Sequence, residues 1–503
     1  MLARDPLGVK PLYFHHDSKR ILFASRITSL FEDPSVPKKP CESMLGQFFV
    51  NEYLNHELTF FENIKQIAPA HLLIIDSKGR AQKKRYGSPD SVKLRRYKDK
   101  KQYHEEFFSL FETSVRNRLE GTAPGLLLSG GLDSLQVASM SEALRRKDAG
   151  IPALKSLCIL VAGFLQEDVT NLERLRERYD PDIETVDRTG GPQDFFELYL
   201  EPGDTPRFDA YMTTPEFLEI FQAKGCKAIL TGFGANEMSN LAEFGYLEDL
   251  LLTFRFKKFS EECGRFAQCL HNSRRDVEKM MLHETIREKT PWLCRRWMRQ
   301  RRLQNRKWLR PEFRKKVSTQ PPVRLRPFKT MAQNEPYHAL FEPQITLALA
   351  EMSEATESFG LEARHPFFDL PLIEFFLSIP ADILMEGGYR KNFIQHALAP
   401  VVPGPVKTAD DERLYIPFPA EPGRTRDELA RLQLYLSDRE NLLYEYADPS
   451  EIQKILDPSN RSFDFPLLWR LVRLESWLRS FWGKPFTPRH PEAFFAEGSA
   501  LPL

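Results

Sequence analysis

The chain has 503 residues, with 71 Lys plus Arg against 70 Asp plus Glu and a formal net charge of +1. That length suits about three domains of ordinary size, and the charge balance excludes a general polyanion binder while leaving room for a local basic patch. Hydrophobic residues make up 42% and charged residues 28%, and 38 are Phe, which excludes disordered, collagen-like and disulfide-scaffold classes and predicts aromatic-rich cores.

Taken in chain order, the first ~85 residues read as short strands between turns, with candidates at Pro11 to Phe14, Ile21 to Ala24 and Ala70 to Asp76. A basic stretch, Lys93 to Lys101, reads as a linker. Phe107, Phe108, Phe111, Val115 and Leu119 recur at helical spacing, which predicts a helix over Tyr103 to Leu119. After Pro124 the pattern alternates. Strands are predicted at Leu126–Leu128, Leu154–Val161, Ile183–Val186 and Lys227–Leu230, with a helix over Leu132 to Arg146. Strands separated by helical stretches imply a parallel sheet with crossover helices, an α/β fold. Beyond about residue 240 the chain reads as mostly helical.

The six cysteines, Cys41, Cys158, Cys226, Cys263, Cys269 and Cys294, form no C-x-x-C pair. Neither a structural zinc site nor a secreted disulfide framework has support, and reduced, buried thiols are expected. The longest apolar run, Leu157 to Leu165, is nine residues, too short to span a bilayer. Met1 to Phe14 has no hydrophobic region of the signal-peptide kind. A soluble, cytoplasmic chain with no membrane partner is expected.

The most specific segment is Leu126-Leu127-Leu128-Ser129-Gly130-Gly131-Leu132-Asp133-Ser134. A buried strand ends at Ser129, and two glycines let the backbone turn tightly against a ligand. The following helix presents its N–H groups and positive dipole end at that turn. Ser129 and Ser134 add hydroxyls, and Asp133 can face a metal bound to phosphate. Such a loop cradles a pyrophosphate. The bland alternative is a glycine turn with a serine cap, but five fixed positions arise by chance in roughly one such chain in a thousand.

Ser-Gly-Gly-x-Asp-Ser is the pyrophosphate loop of ATP pyrophosphatases, and three further segments narrow the resemblance. Arg4-Asp5-Pro6-Leu7-Gly8-Val9-Lys10-Pro11-Leu12-Tyr13 resembles a segment late in the glutaminase domain of glutamine-dependent asparagine synthetases. Gly360-Leu361-Glu362-Ala363-Arg364-His365-Pro366-Phe367-Phe368-Asp369 is similar to that family's Glu-Ala-Arg-x-Pro-Phe-Leu-Asp signature. Arg390-Lys391 with Phe393-Ile394 resembles its lysine-bearing helix. The resemblance implies residues 1–90 as a partial α+β glutaminase-like domain of the N-terminal-nucleophile type. It implies residues 103–485 as a synthetase domain: a parallel-sheet, adenine nucleotide α-hydrolase-like ATP-pyrophosphatase domain with a helical C-terminal half.

It also implies roles. Leu127, Ser129, Gly130, Gly131, Asp133, Ser134 and Ile159 would line ATP, with Thr231 and Gly232 closing the pocket and Asp133 facing Mg²⁺. Glu237 and Arg364 would handle the carboxylate substrate and the adenylate, and Lys391 would stabilise charge on the adenylated intermediate. The implied reaction activates a small-molecule or peptide carboxylate as acyl-AMP, releases pyrophosphate and joins the acyl group to an amine. Two departures stand out. Phe233 and Asn236 sit where the family carries carboxylates, in Gly232-Phe233-Gly234-Ala235-Asn236-Glu237. Residue 2 is Leu, not the N-terminal Cys that serves as glutaminase nucleophile, and Cys41 has no free α-amino group beside it to act as base. Glutamine hydrolysis by this chain is therefore not expected: the amine would come from free ammonia, a separate glutaminase subunit or the substrate itself, or else the sequence is clipped and the glutaminase start lies upstream of it. An intramolecular cyclase resembling lasso-peptide or β-lactam synthetases, and a nucleotide-binding pseudoenzyme, are the rival readings.

One stretch invites another function. Arg295 to Lys316 holds eleven Lys or Arg with Trp297, Trp308 and Phe313, a mixture that can bind RNA. A solvated amphipathic face is the expected reading, and no nucleic-acid partner is expected.

Overall fold

The computed structural model describes residues 1–17, 19–76, 78–121, 123–161, 166–188, 203–206, 215–239, 242–269, 272–317, 325–385, 392–404, 430–457 and 464–483. Its first part carries two small antiparallel sheets. One joins β1 (Leu2–Ala3), β5 (His71–Ile75) and β6 (Ala81–Arg85); the other joins β2 (Tyr13–His16), β3 (Ile21–Ala24) and β4 (Lys65–Gln66). The strand predicted from Pro11 begins instead at Tyr13, since proline has no N–H for a ladder. The Arg4-to-Lys10 segment is a turn built on two side chains. Asp5 accepts the N–H groups of Leu7, Val9 and Lys10 at 3.0–3.1 Å. Buried Arg4 donates to the carbonyls of Gly8, Lys10 and Ile67 at 2.8–3.0 Å.

The second part is a five-stranded parallel sheet. In chain order its strands are β7 (Pro124–Leu128), β8 (Lys155–Val161), β9 (Asp182–Arg188), β10 (Ala228–Leu230) and β11 (Glu362–Arg364), and in space they run β11-β10-β7-β8-β9. The predicted helix is α3 (Lys101–Leu119), which buries Tyr103, Phe107, Phe111, Val115 and Leu119. Helices α4 (Leu132–Lys147) and α5 (Gln166–Tyr179) follow β7 and β8. β7 is buried along its whole length, as a sheet covered by helices on both faces requires. Strand order reverses at β7. The chain leaves it for β8 and β9 on one side and returns to β10 and β11 on the other, which opens a crevice at the carboxyl ends of β7 and β10.

From Ala242 onward the described chain is helical except for β11. The last of these helices, Phe465–Trp482, belongs to the core of the first part. Trp477 lies 5.3 Å from both Phe60 and Phe61, and Phe481 lies 4.8 Å from Phe61. α1 (Ile27–Leu30) is held from the synthetase side, where Asp204 accepts the N–H groups of Ile27 at 2.7 Å and Thr28 at 3.0 Å and pairs with Arg26 at 3.1 Å. No helix among the described residues is long and apolar enough to cross a membrane.

Candidate active site

The turn after β7 enters the crevice at its centre. Gly130 has φ +74°, a left-handed conformation, and a Cβ there would stand 2.4 Å from the Asp168 Cβ. Only glycine fits. Asn171, on α5, donates from Nδ2 to the Gly130 carbonyl at 3.2 Å. Ser134 Oγ accepts the Ser129 N–H at 3.2 Å, donates to the Gly131 carbonyl at 3.2 Å and lies 3.2 Å from Ser129 Oγ. Gly131 is the N-cap of α4 and brings no side-chain cap. The loop is thus closed on itself, with the positive end of a 16-residue helix behind it. Asp133, half-buried in the first turn, is the loop's hard oxygen donor.

The turn after β10 packs against the first. A Cβ on Gly232 would fall 2.8 Å from the backbone of Asp133 and Ser134, and Gly234, at φ +104°, abuts Phe368. Thr231 Oγ1 is 2.7 Å from His365 Nδ1 and accepts the Phe233 N–H at 3.3 Å. His365 is 1% exposed, and its Nε2 has no hydrogen-bond partner. Burial, and then the charges of Lys10 and Arg118, push its pKa down to about 3, so the ring is neutral. The Phe233 ring stacks on Phe368 at 5.4 Å and lies 6.1 Å from His365. Position 233, where the resemblance implies a carboxylate, thus carries an aromatic layer.

Ser129, Gly130, Gly131, Asp133, Ser134, Thr231 and Gly232 therefore meet at the strand ends. Leu127 and Thr231 line a narrow apolar pocket with Ile229, Ala363, Met352 and Phe217. Ile159 lies on β8 opposite Val186. Glu237 stands one turn on, accepting the Gly234 N–H at 3.1 Å, and Asn236 is exposed. Lys391 lies outside the described residues. Arg364 binds Glu362 through Nη2 and Nε at 2.8 Å, and the carbonyls of Arg118 and Glu120 through Nη1 at 2.8 and 3.3 Å. These bonds tie β11 to the end of α3, which is what a structural ion pair would do. Glu362 also meets Lys10 at 2.9 Å. Burial raises its pKa, but the hydrogen bonds from Lys10 and Arg364 outweigh this and hold it below the usual value. Cys41 is buried in the first part's core, where burial pushes its thiol up.

Residues bearing on the site that sequence reasoning missed are Asn171 and His365. His365 stood inside a quoted motif, whereas no spacing pointed to Asn171. The donor set fits a nucleotide: a glycine turn that admits close backbone approach, two hydroxyls and a helix N-terminus. Among the described residues no three His, Cys, Asp or Glu side chains gather as a metal cage. Magnesium bound by Asp133 together with phosphate oxygens and water needs none, because that ion keeps much of its water.

Comparison with known proteins points the same way. The asparagine synthase family matches residues 106–479, and a glutamine amidotransferase domain matches residues 1–87. Asparagine synthetase (glutamine-hydrolyzing) 3 of Bacillus subtilis strain 168 is 22% identical over 490 residues, 94% of this chain and 73% of that protein. Asparagine synthetase 1 of the same organism is 26% identical over 47% of this chain and 36% of its own length. Asparagine synthetase 2 is 32% identical over 27% and 20%. The first family match runs through both the glycine turn and β11, and its domain is an ATP-pyrophosphatase fold. The chain belongs to the asparagine synthase family, a family of ATP-dependent ligases.

Proposed function

We propose that this chain activates a carboxylate with ATP, releasing pyrophosphate and forming an acyl-adenylate that an amine then attacks to give an amide. The observation that carries this reading is the meeting of two turns at the sheet's switch point. The Ser129–Ser134 loop offers backbone and hydroxyl donors to a leaving pyrophosphate, and Gly232 lies close enough to hold that loop from the other side. Asp133 would hold Mg²⁺, which neutralises phosphate charge and so eases cleavage between the α and β phosphates. Lys391 and Glu237 are the residues proposed to meet the acyl-adenylate and its carboxylate.

The test is ATP–pyrophosphate exchange with a panel of carboxylic acids, using hydroxylamine to trap the acyl group. Asp133→Ala should abolish exchange while leaving the melting temperature unchanged. Exchange at the wild-type rate would remove the role assigned to Asp133. A second reading, in which the substrate supplies its own amine as in the cyclases, draws support from Phe233. Its stacked ring offers nothing to take a proton from ammonia. Amide formation within one peptide or amino-acid substrate, without added ammonia, would establish that reading. ATP binding with no exchange for any acid would mark a pseudoenzyme.

A further inference from the structure

Sixteen large apolar side chains are exposed among the described residues, and nine of them fall between Leu252 and Trp297. The densest group spans the end of one helix, Arg274–Lys289, and the start of the next, Trp292–Asn305. Leu282 and Ile286 lie one turn apart on the first. Leu293 and Trp297 lie one turn apart on the second, with Leu293 70% and Trp297 58% exposed. The stretch from Arg295 to Lys316, expected from sequence as an amphipathic face, turns Leu303, Trp308 and Phe313 inward but leaves Trp297 out, and Leu293 just before it is exposed too. The inner face also carries Arg299, which pairs with Glu52.

The outer face is also cationic. Trp292–Asn305 contains five Arg and no acidic residue, and Arg296, Arg301 and Arg302 are exposed. Arg296 stands over the Trp292 ring at 5.3 Å and Arg301 over the Trp297 ring at 5.5 Å. Indole rings and aliphatic chains beside guanidinium groups are the composition of a helix that lies in a membrane interface. Indoles settle at headgroup depth, Leu and Ile reach the acyl boundary, and long basic side chains extend to phosphates.

We propose that this face docks peripherally on an anionic lipid surface, with Leu282, Ile286, Leu293 and Trp297 in the interface and Arg296, Arg301 and Arg302 on the headgroups. Charge opposes a second copy seated face to face, because the three exposed arginines of one would meet the same three of the other. Exposed Leu and Ile favour lipid over nucleic acid, whose phosphates and bases recruit arginine and aromatic rings but not branched aliphatic chains. The docking is independent of the ligase reading, since none of these residues belongs to the crevice.

The test is co-sedimentation of the full chain with vesicles of equimolar phosphatidylglycerol and phosphatidylcholine. The chain should sediment with these and not with pure phosphatidylcholine, and the partition should fall about tenfold between low and high salt. Leu293→Ser with Trp297→Ser, and separately Arg296→Glu with Arg301→Glu, should each lower it about tenfold, with an unchanged circular dichroism spectrum and melting temperature as a check that the fold is intact. The proposal fails if the wild type stays in solution with anionic vesicles, or if both variants bind as well as wild type. It fails equally if single-stranded RNA, an acidic protein or self-association engages this face while vesicles do not.

Discussion

Phe233, His365 and Thr231 define the chemistry of the turn after β10. A carboxylate at position 233 would have to replace a ring stacked on Phe368, beside an imidazole that burial keeps neutral. Phe233→Glu alone is therefore expected to cost about 1–3 kcal/mol of stability, the penalty of a poorly paired polar group at a half-buried position. Combined with Asn236→Asp, it should raise ammonia-dependent amide formation by about 10²-fold, the lower end of what a positioned acid–base group contributes. A double variant no faster than wild type would make the aromatic layer a specialisation for another amine. His365 yields a pH prediction. Its folded pKa of about 3 lies below the unfolded value near 6.5, so the unfolded state binds more protons between those values and stability falls as pH drops through that window. His365→Gln keeps a partner for Thr231 without the titration. Urea melts at pH 7 and pH 4.5 should show wild type losing about 2 kcal/mol more than the variant; equal losses would mean that the imidazole is not neutral in the fold.

At the scale of elements, β7, β8 and β10 were legible from the apolar runs at Leu126–Leu128, Leu157–Val161 and Ala228–Leu230, and β9 from Ile183 and Val186. The Ser129–Ser134 loop was legible because its residue types have one economical use. β11 was not, since Glu362-Ala363-Arg364 has neither alternation nor length, and it becomes a strand only because β10 offers an open edge. β6 escaped for the opposite reason. Ala81-Gln82-Lys83-Lys84-Arg85 is wholly exposed and polar, and pairing with β5 alone defines it. The four-residue α1 is likewise a product of context, since its N-terminal N–H groups are satisfied by a carboxylate 177 residues away. Asp204 is 2% exposed and also pairs with Arg26. Asp204→Ala should destabilise the protein by about 2–4 kcal/mol, because it leaves the Ile27 and Thr28 amide groups without their acceptor and Arg26 with Glu354 alone. Asp204→Asn, which keeps one carbonyl oxygen, should cost less. A loss under about 1 kcal/mol for the alanine variant would show that water replaces the carboxylate.

For the molecule as a whole, two matched domains do not make two independent folding units. The core of the first part includes Trp477 and Phe481 from the last described helix, as well as Trp308 and Phe313 from the middle of the synthetase segment. Sequence periodicity cannot reveal this, because it reports which face of a helix is apolar and not what that face meets. Trp477→Ala should cost about 3–5 kcal/mol and lower a single cooperative transition, with no separate early melting of the first part. Residues 1–87 alone should show little near-ultraviolet circular dichroism; a sharp, native-like melt of that fragment would contradict the shared core.

That shared core also sets an order of events during synthesis. At about 5–20 residues per second, roughly 20–80 s separate the emergence of the last residue of the amidotransferase match from that of Trp482. Throughout that interval Phe60 and Phe61 have no Trp477 to pack against. The nascent chain therefore carries an aromatic surface that only its own distant end can cover, so holding by chaperones and the pace of translation bear on how much of this protein reaches its native state.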